Sequence, residues 1–317
     1  MAALGNFCRG ELVLPTCSRN SPTKLNKKGV FFTLLALLIA AIFVLSLTFF
    51  SGFLQRGATQ KRVGTLDDFV FSVEEDLPRQ VFVNGFRTIF ILDDRIASTG
   101  NYQSNIQDVF QEAFFNGTVY GESQSLLVGT TFSEIEETLR ARGRKISANV
   151  FITSPNLSVE QNNPWEVRYL LSANLFIDDV AGQASWNKTI VVESLIPIES
   201  FFDPLYLVNA NGFANSFVQG DFSDLPAHAT NSRYVASGDA PSFLQRIEGN
   251  FSDSPYGVES FVNLNELSAH GVGVSSTSSV VDHVYFSVKT EGCSVSGMPS
   301  WFKIDDEHLI FYGVACA

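Results

Sequence analysis

Residues 29–55 form a run of 27 residues without a single charged side chain. Within this run, residues 30–50 are apolar except for Thr33, Ser46 and Thr48. About 20 helical residues cross the ~30 Å hydrocarbon core of a bilayer, and a helix satisfies its backbone hydrogen bonds internally. The run therefore predicts one transmembrane helix over residues 29–55.

A secretory signal peptide is the alternative interpretation of this run. Such a peptide normally has an apolar stretch of about 7–15 residues, followed by a cleavage site with small residues. The apolar stretch here is longer, and the sequence Ser51-Gly52-Phe53-Leu54 that follows it is a poor cleavage site. We therefore expect a helix that is retained.

Basic residues are unevenly divided around the predicted helix. Five precede it and three follow it: Arg9, Arg19, Lys24, Lys27 and Lys28, then Arg56, Lys61 and Arg62. Because Lys and Arg stay on the cytoplasmic side, this bias predicts a cytoplasmic basic leader at residues 1–28 and a C-terminal part outside the cell membrane. The four N-x-S/T glycosylation sequons, which all follow the helix, agree with this orientation: Asn116, Asn156, Asn187 and Asn250.

The charge of the exported part excludes one class of partner. Residues 63–317 carry 13 basic and 32 acidic residues, a formal charge of −19 against −12 for the whole chain. A nucleic-acid binder needs basic faces for phosphate contacts, so we expect no nucleic-acid partner. With 45% hydrophobic residues the chain is also too apolar for disorder.

Small residues inside the predicted membrane helix allow self-association. Ala36 and Ala40 are four residues apart. That spacing lets two helices approach closely in lipid, although Ala is frequent in bilayer helices in any case. The expected contacts of this segment are membrane lipid and a second copy of the helix.

Residues 63–99 are predicted to form a helical stalk. Apolar residues recur there at steps of three and four, as a helix requires, with Pro78 and Gly85 as weak points. The alternative is a pair of strands at residues 79–84 and 87–92, where Val, Ile and Phe are concentrated.

Residues 100–317 are predicted to form an extracytoplasmic α+β domain. Two helices are expected at residues 104–115 and near 133–143, the second with a Ser133/Glu136 capping box and a stop at Gly143. Three alternating runs follow, at residues 146–152, 167–177 and 190–196, separated by turn-rich segments at 154–164 and 178–186. This pattern predicts an antiparallel β-meander with flanking helices.

The C-terminal third carries weaker signals. Long loops are expected over residues 201–239, and short helices at 241–248 and 264–270, where Asn263 is the expected cap. A strand at 280–288 and a hairpin pairing 301–304 with 308–312 are expected to close the domain.

The cysteines divide into two pairs. Cys293 and Cys316 follow the membrane run and form a disulfide candidate, with two free thiols as the alternative. Cys8 and Cys17 precede the run, and their spacing matches no metal motif.

A search for catalytic motifs finds no P-loop, no nucleophile elbow and no zinc-ligand spacing. The four histidines are more readily interpreted as structural or solvated residues than as ligands: His228, in a predicted loop, His270 at a helix end, His283 in a predicted strand, and His308. The acidic run Asp305-Asp306-Glu307 fits a solvated hairpin turn. We therefore expect no cofactor, no metal and no enzymatic activity.

The junction Lys27-Lys28-Gly29-Val30 resembles the class III signal sequence of type IV pilins and related archaeal surface proteins. The resemblance implies that a prepilin-type peptidase cuts after Gly29 and that the apolar helix is kept. Leu34 stands at the fifth mature position, where bacterial pilins have Glu. A plain single-pass anchor with a cytoplasmic N-terminus remains the alternative.

Two segments of the exported part resemble uncharacterised archaeal membrane-anchored exoproteins, Asp203-Pro204-Leu205-Tyr206 and residues 241–260. This resemblance implies a family and no activity. The leading hypothesis is a pilin-like, single-pass surface protein with a structural, assembly or adhesion role. The alternatives are an anchored binding or sensor module that does not polymerise, and an anchored hydrolase.

Overall fold

Helix α1 (Lys27–Thr99) is the longest element of the computed structural model, which describes residues 27–220 and 225–317. The chain divides into two units, Met1–Lys61 and Arg62–Ala317. In the first unit, Gly29–Phe50 is long and apolar enough to cross a membrane, with a mean hydropathy of 2.9 and no residue of this segment buried in the protein. Residues 1–26 of the predicted leader, with Cys8 and Cys17, lie outside the described residues.

The prediction of a helix over residues 63–99 is confirmed, and the two-strand alternative is wrong. Apolar side chains of α1 at helical spacing are buried in the core of the second unit: Leu66, Val73, Leu77, Val81, Ile89, Leu92 and Ile96. Pro78 lies within the helix, and its carbonyl accepts a hydrogen bond of 2.6 Å from Ser194 Oγ. The helical period decided the conformation here because one face of the segment is buried.

The predicted β-meander is confirmed. Strands β3 (Ala148–Asn163), β4 (Glu166–Asp179) and β5 (Ser185–Pro197) form one antiparallel sheet in the order β3-β4-β5. Every second residue of β4 from Val167 to Ile177 is buried, as the alternation predicts. The turn expected over residues 154–164 is wrong, since β3 continues through it. A register shift between Thr153 and Asn156 places Pro155 in an irregularity, where its missing N–H is tolerated.

Two helices flank the sheet, α2 (Ile106–Asn116) and α3 (Phe132–Lys145). The start of α3 differs from the expected one, because Thr131 and Glu134 form the capping box. Gly143 does not end the helix. It lies within the last turn, where a Cβ would stand only 2.9 Å from the Ala148 carbonyl oxygen, so the residue is needed for close approach to β3.

The C-terminal third is more helical than its sequence suggests. A second hydrophobic cluster, which includes Phe261 and Phe302, lies among its short elements. In chain order the elements are α4 (Pro204–Asn209), α5 (Leu225–Asn231), β6 (Val235–Ala236), α6 (Phe243–Glu248), β7 (Val258–Glu259), α7 (Leu264–Ala269), α8 (Asp282–Phe286), β8 (Cys293–Ser294), β9 (Lys303–Ile304) and α9 (Asp306–Tyr312). The remaining short elements are β1 (Thr118–Val119), β2 (Glu122–Ser123) and 3-10 turns at Ser125–Leu127 and Ile198–Ser200.

Three expectations for this region are wrong. The predicted strand at 280–288 contains α8, the predicted long loops at 201–239 contain α4 and α5, and the second strand of the predicted hairpin is α9. The side chain of Asp305 accepts from the backbone N–H of His308 and so starts a helix at the place where a turn was expected. The predicted helices α6 and α7 are confirmed, and Asn263 caps α7.

The disulfide between Cys293 and Cys316 is present, with Cα atoms 5.6 Å apart. It joins β8 to the last residues of the chain, where Val295 and Cys316 also form an antiparallel bridge. The prediction of this pair is confirmed.

Gly85 sets the distance between α1 and the sheet. A Cβ at this position would stand 2.5 Å from Ile196 Cδ1 and 2.8 Å from the Tyr169 ring. The Tyr169 ring cannot move freely, because its hydroxyl donates to Asn84 Oδ1 at 2.9 Å and its ring packs on Phe110. The glycine is therefore a packing requirement, although it weakens the helix.

We expect Gly85→Ala to lower the thermal midpoint of unfolding, because overpacking costs about 1–3 kcal/mol against a gain of about 1 kcal/mol in helix propensity. Gly64→Ala is the matched control, since Gly64 lies in α1 with no atom within 4 Å of its would-be Cβ. That variant should be as stable as the wild type or slightly more stable. Equal stability of the two variants in a thermal melt would contradict this assignment.

Candidate functional site

Arg246 on α6 is fully buried and forms ion pairs with two aspartates. Its Nη1 lies 2.6 Å from Asp203 Oδ2 and 2.9 Å from Asp282 Oδ2, and its Nη2 lies 3.3 Å from Asp282 Oδ1. The remaining donors reach the carbonyls of Pro241 and Val258. We call Arg246, Asp203 and Asp282 the Arg246 network.

Helix starts place the two aspartates of this network. Asp203 caps α4, and its Oδ1 accepts from the Leu205 N–H at 2.9 Å, with Pro204 in the first helical position. Asp282 is the first residue of α8, where a carboxylate is favoured by the helix dipole. The short helices α4, α6 and α8 therefore meet at one buried guanidinium.

Two carboxylates share one cation, and their environments differ. Tyr234 donates to Asp203 Oδ2 at 2.8 Å, and Ser260 donates to Asp282 Oδ2 at 2.9 Å. Burial raises the pKa of Asp203 to about 6, although Arg246 opposes this. For Asp282, the two-pronged contact with Arg246 outweighs burial and holds the pKa below its usual range. In this network Asp282 therefore stays ionised, whereas Asp203 takes up a proton in weak acid.

A second buried cluster of titratable side chains lies beside the Arg246 network. Glu259 on β7, His283 on α8 and His308 on α9 each offer one ligating atom, and these atoms all lie within 4.8 Å of one another. The exposed fractions of the three residues are 0%, 6% and 4%. We call these residues the histidine–carboxylate cluster. It adjoins the Arg246 network because Asp282 and His283 are consecutive residues.

Outer contacts orient each member of the cluster. His308 Nδ1 donates to Asp305 Oδ1 at 2.7 Å, and the Tyr312 hydroxyl donates to Glu259 Oε1 at 2.6 Å. His283 Nδ1 lies 3.4 Å from Asp282 Oδ1. Within residues 27–220 and 225–317, neither His308 Nε2 nor Glu259 Oε2 makes a hydrogen bond, although the two atoms are 3.4 Å apart.

The charge of this cluster is unusual for a protein interior. Burial disfavours a charged His308, but its contacts with Asp305 and Glu259 prevail and raise the pKa of His308 to about 10. Burial likewise opposes ionisation of Asp305, yet the hydrogen bonds from His308 and Ser279 lower the pKa of Asp305. Asp305 and Glu259 therefore favour an imidazolium at His308.

Sequence reasoning missed this cluster because its members are 24 and 25 residues apart. His308 was expected in a strand and Asp305 in a solvated turn, whereas both are buried. The other two histidines do not join them. His228 lies in α5 against the Phe261 ring, and His270 lies at the C-terminal end of α7. The available signal was an Asp shortly before each clustered histidine, Asp282 before His283 and Asp305 three residues before His308. Asp is common at helix starts, so each Asp could have indicated a short helix that carries the histidine.

The residues singled out in the sequence lie elsewhere. Lys27, Lys28, Gly29 and Val30 begin α1, and Ala36 and Ala40 are exposed within it. All four sequon asparagines are exposed, at the end of α2 (Asn116), on β3 (Asn156), on β5 (Asn187) and after α6 (Asn250). None of these residues belongs to the two buried clusters.

Comparisons with known proteins give no relative. No protein-family model matches the chain, no curated protein matches it, and no solved structure matches it. A functional assignment therefore rests on the geometry of the described residues.

Removing the cation of the Arg246 network should destabilise the second unit strongly. Arg246→Met leaves two buried carboxylates without a cation, and breaking a buried pair from one side costs about 3–5 kcal/mol. Arg168→Met is the matched control, because Arg168 pairs with Glu160 and Glu193 at the surface and should give little change. Denaturant unfolding of the two variants should separate them clearly, and similar midpoints would contradict the role given to Arg246.

Asp203 should make stability depend on pH. Its surroundings are charged or titratable on several sides, through Arg246, Asp282, Tyr234, Tyr206, Tyr102 and Asp93. Because the pKa of Asp203 is raised on folding, its contribution is fully present below about pH 4 and is lost as the pH rises through about 6.

The thermal midpoint of the wild type should therefore fall relative to Asp203→Asn between pH 4 and pH 7. Asp239→Asn, which changes an exposed carboxylate outside the network, should track the wild type over this range. A constant difference between the wild type and Asp203→Asn across the range would show that Asp203 does not titrate there.

Proposed function

We propose that this chain is a single-pass, pilin-like surface protein whose second unit acts outside the cell in assembly or adhesion. The observation that carries the proposal is the composition of α1. Its segment Gly29–Phe50 exposes apolar side chains throughout, and its residues from Leu66 to Ile96 contribute to the core of a disulfide-containing unit.

The exposed apolar segment needs a nonaqueous environment. Side chains such as Phe31, Leu37 and Phe49 have exposed fractions of 66%, 70% and 78%. Burying such side chains in lipid is favourable by about 1.5–3 kcal/mol each, so a bilayer supplies the missing contact. Membrane lipid is accordingly the first proposed partner, and the basic leader favours a cytoplasmic N-terminus.

The packing of the second unit supports the comparison with pilins. In that unit, a long helix lies against an antiparallel meander, with contacts from Pro78, Asn84 and Gly85 to β4 and β5. A filament subunit needs such a rigid junction, because load on the helix must pass to the folded unit. Together with the Lys27-Lys28-Gly29 junction, this favours an assembling subunit over an anchored module that does not polymerise.

The exposed surface also suits display outside the cell. All four sequon asparagines are exposed, as glycosylation requires. The charge of −19 on residues 63–317 favours solubility and disfavours contact with nucleic acid. The proposal gives the protein no catalytic step, and self-association is assigned to the face of Ala36 and Ala40.

Processing by a prepilin-type peptidase is the step of this proposal that can be tested most directly. N-terminal sequencing of the protein purified from membranes should give Val30 as the first residue. Gly29→Val should block cleavage and leave Met1 or Ala2 at the N-terminus, since the peptidase requires the small residue before the cut.

Gly57→Val is the matched control for this substitution. Like Gly29, Gly57 lies in α1 with no atom within 4 Å of its would-be Cβ, so both variants should retain the helix equally well. The control protein should still begin at Val30. An intact Met1 or Ala2 in the wild-type protein would contradict leader removal and leave the plain single-pass anchor as the better account.

A further inference from the structure

We propose that Glu259, His283 and His308 form a binding site for a divalent transition-metal ion, with Zn²⁺ as the representative ion. The proposal is independent of the pilin-like role. It rests on three ligating side chains brought together from β7, α8 and α9, each at least nine-tenths buried. Two of their atoms, Glu259 Oε2 and His308 Nε2, are buried without a hydrogen bond within the described part of the chain and face each other as an ion pair at 3.4 Å.

The distances suit a first-row metal. Bonds of about 2.0–2.1 Å in a tetrahedral site place neighbouring ligand atoms roughly 3.3–3.4 Å apart. His308 Nε2 and Glu259 Oε2 are 3.4 Å apart, which matches one edge of such a site. The third ligand atom lies within 4.8 Å of both, so a side-chain shift of at most about 1.5 Å completes the set.

The outer contacts prepare the ligands for a metal. Asp305 engages His308 Nδ1, Asp282 faces His283 Nδ1, and Tyr312 donates to Glu259 Oε1. The contacts at His308 and Glu259 occupy Nδ1 and Oε1, and they leave His308 Nε2 and Glu259 Oε2 facing each other. Metal-bound histidines commonly donate their second ring nitrogen to a carboxylate in this way.

Charge balance favours a cation at this position. The two adjoining clusters and the outer contact Asp305 bury four carboxylates, those of Asp203, Asp282, Glu259 and Asp305, against the guanidinium of Arg246. A protonated His308 offsets part of this excess of negative charge, but it does not involve His283. A divalent ion engages both histidines and Glu259 and offsets more of the negative charge.

The donor set identifies the class of ion. Two imidazoles and one carboxylate suit Zn²⁺ and similar transition metals, whereas Mg²⁺ and Ca²⁺ prefer oxygen ligands. Water completes the coordination. Because the ligands come from three short elements, the ion ties β7, α8 and α9 together.

The test uses the full-length protein in detergent, without a histidine tag and with Cys8→Ser and Cys17→Ser in every variant. These two substitutions remove thiols that could bind Zn²⁺ independently. After stripping with a chelator, the protein is titrated with Zn²⁺, and bound metal per chain and the thermal midpoint are measured. We expect one Zn²⁺ per chain and a thermal midpoint that rises with free Zn²⁺.

Glu259→Gln and His283→Gln should each weaken Zn²⁺ binding by at least about 10–100-fold, because losing a ligand costs at least as much as losing an outer contact that orients one. Gln at position 259 still accepts from Tyr312, so the surroundings are preserved. His270→Ala is the matched control, because His270 is an exposed histidine of the same unit, and it should bind Zn²⁺ as the wild type does.

The wild-type titration keeps the proposal falsifiable if a ligand variant does not fold. Absence of stoichiometric Zn²⁺ binding by the stripped parent protein overturns the proposal whatever the variants do. Stoichiometric binding that is unchanged in folded Glu259→Gln and His283→Gln overturns it as well, since the ion would then lie elsewhere. With Co²⁺ as the probe, a visible spectrum typical of nitrogen and oxygen ligands without thiolate supports it.

Discussion

The guanidinium of Arg246 is fully removed from water and is held by groups from four separate segments: the carboxylates of Asp203 and Asp282 and the carbonyls of Pro241 and Val258. A buried charge costs several kcal/mol unless it is paired with good geometry. Helix α6 therefore keeps its position only while the starts of α4 and α8 keep theirs. Because Asp282 precedes His283, the same ion pairs also position one member of the histidine–carboxylate cluster.

The second unit thus combines two kinds of core. Around α1 and the three-stranded sheet the contacts are mostly apolar and come from long elements, so the helix and strand periods specify them. The C-terminal third is built from helices of five to seven residues. Such helices are not stable alone. Their positions depend on the second hydrophobic cluster, the Arg246 network and the disulfide between Cys293 and Cys316.

Predictions from the sequence succeeded where one face of a long element is buried. The helix over residues 63–99, the meander, α2, α6 and α7 follow from apolar spacing and caps. The strand expected at 280–288 and the hairpin expected at 301–312 failed. At the hairpin, a capping side chain outweighs the local β-preference. Asp305 shows this directly, since its contacts with His308 and Ser279 convert an apparent turn into a helix start.

The sequence by itself determined the apolar helix, the charge of the part that comes after it and the helix–sheet organisation, because each is encoded by local composition or by a regular period. It offered Cys293 and Cys316 as a candidate pair, and the structure joined them. The buried clusters were decided by the tertiary structure. Glu259, His283 and His308 are distant along the chain, and no periodic signal connects them. Only the packing of short helices around Arg246 brings their side chains within reach of one ion.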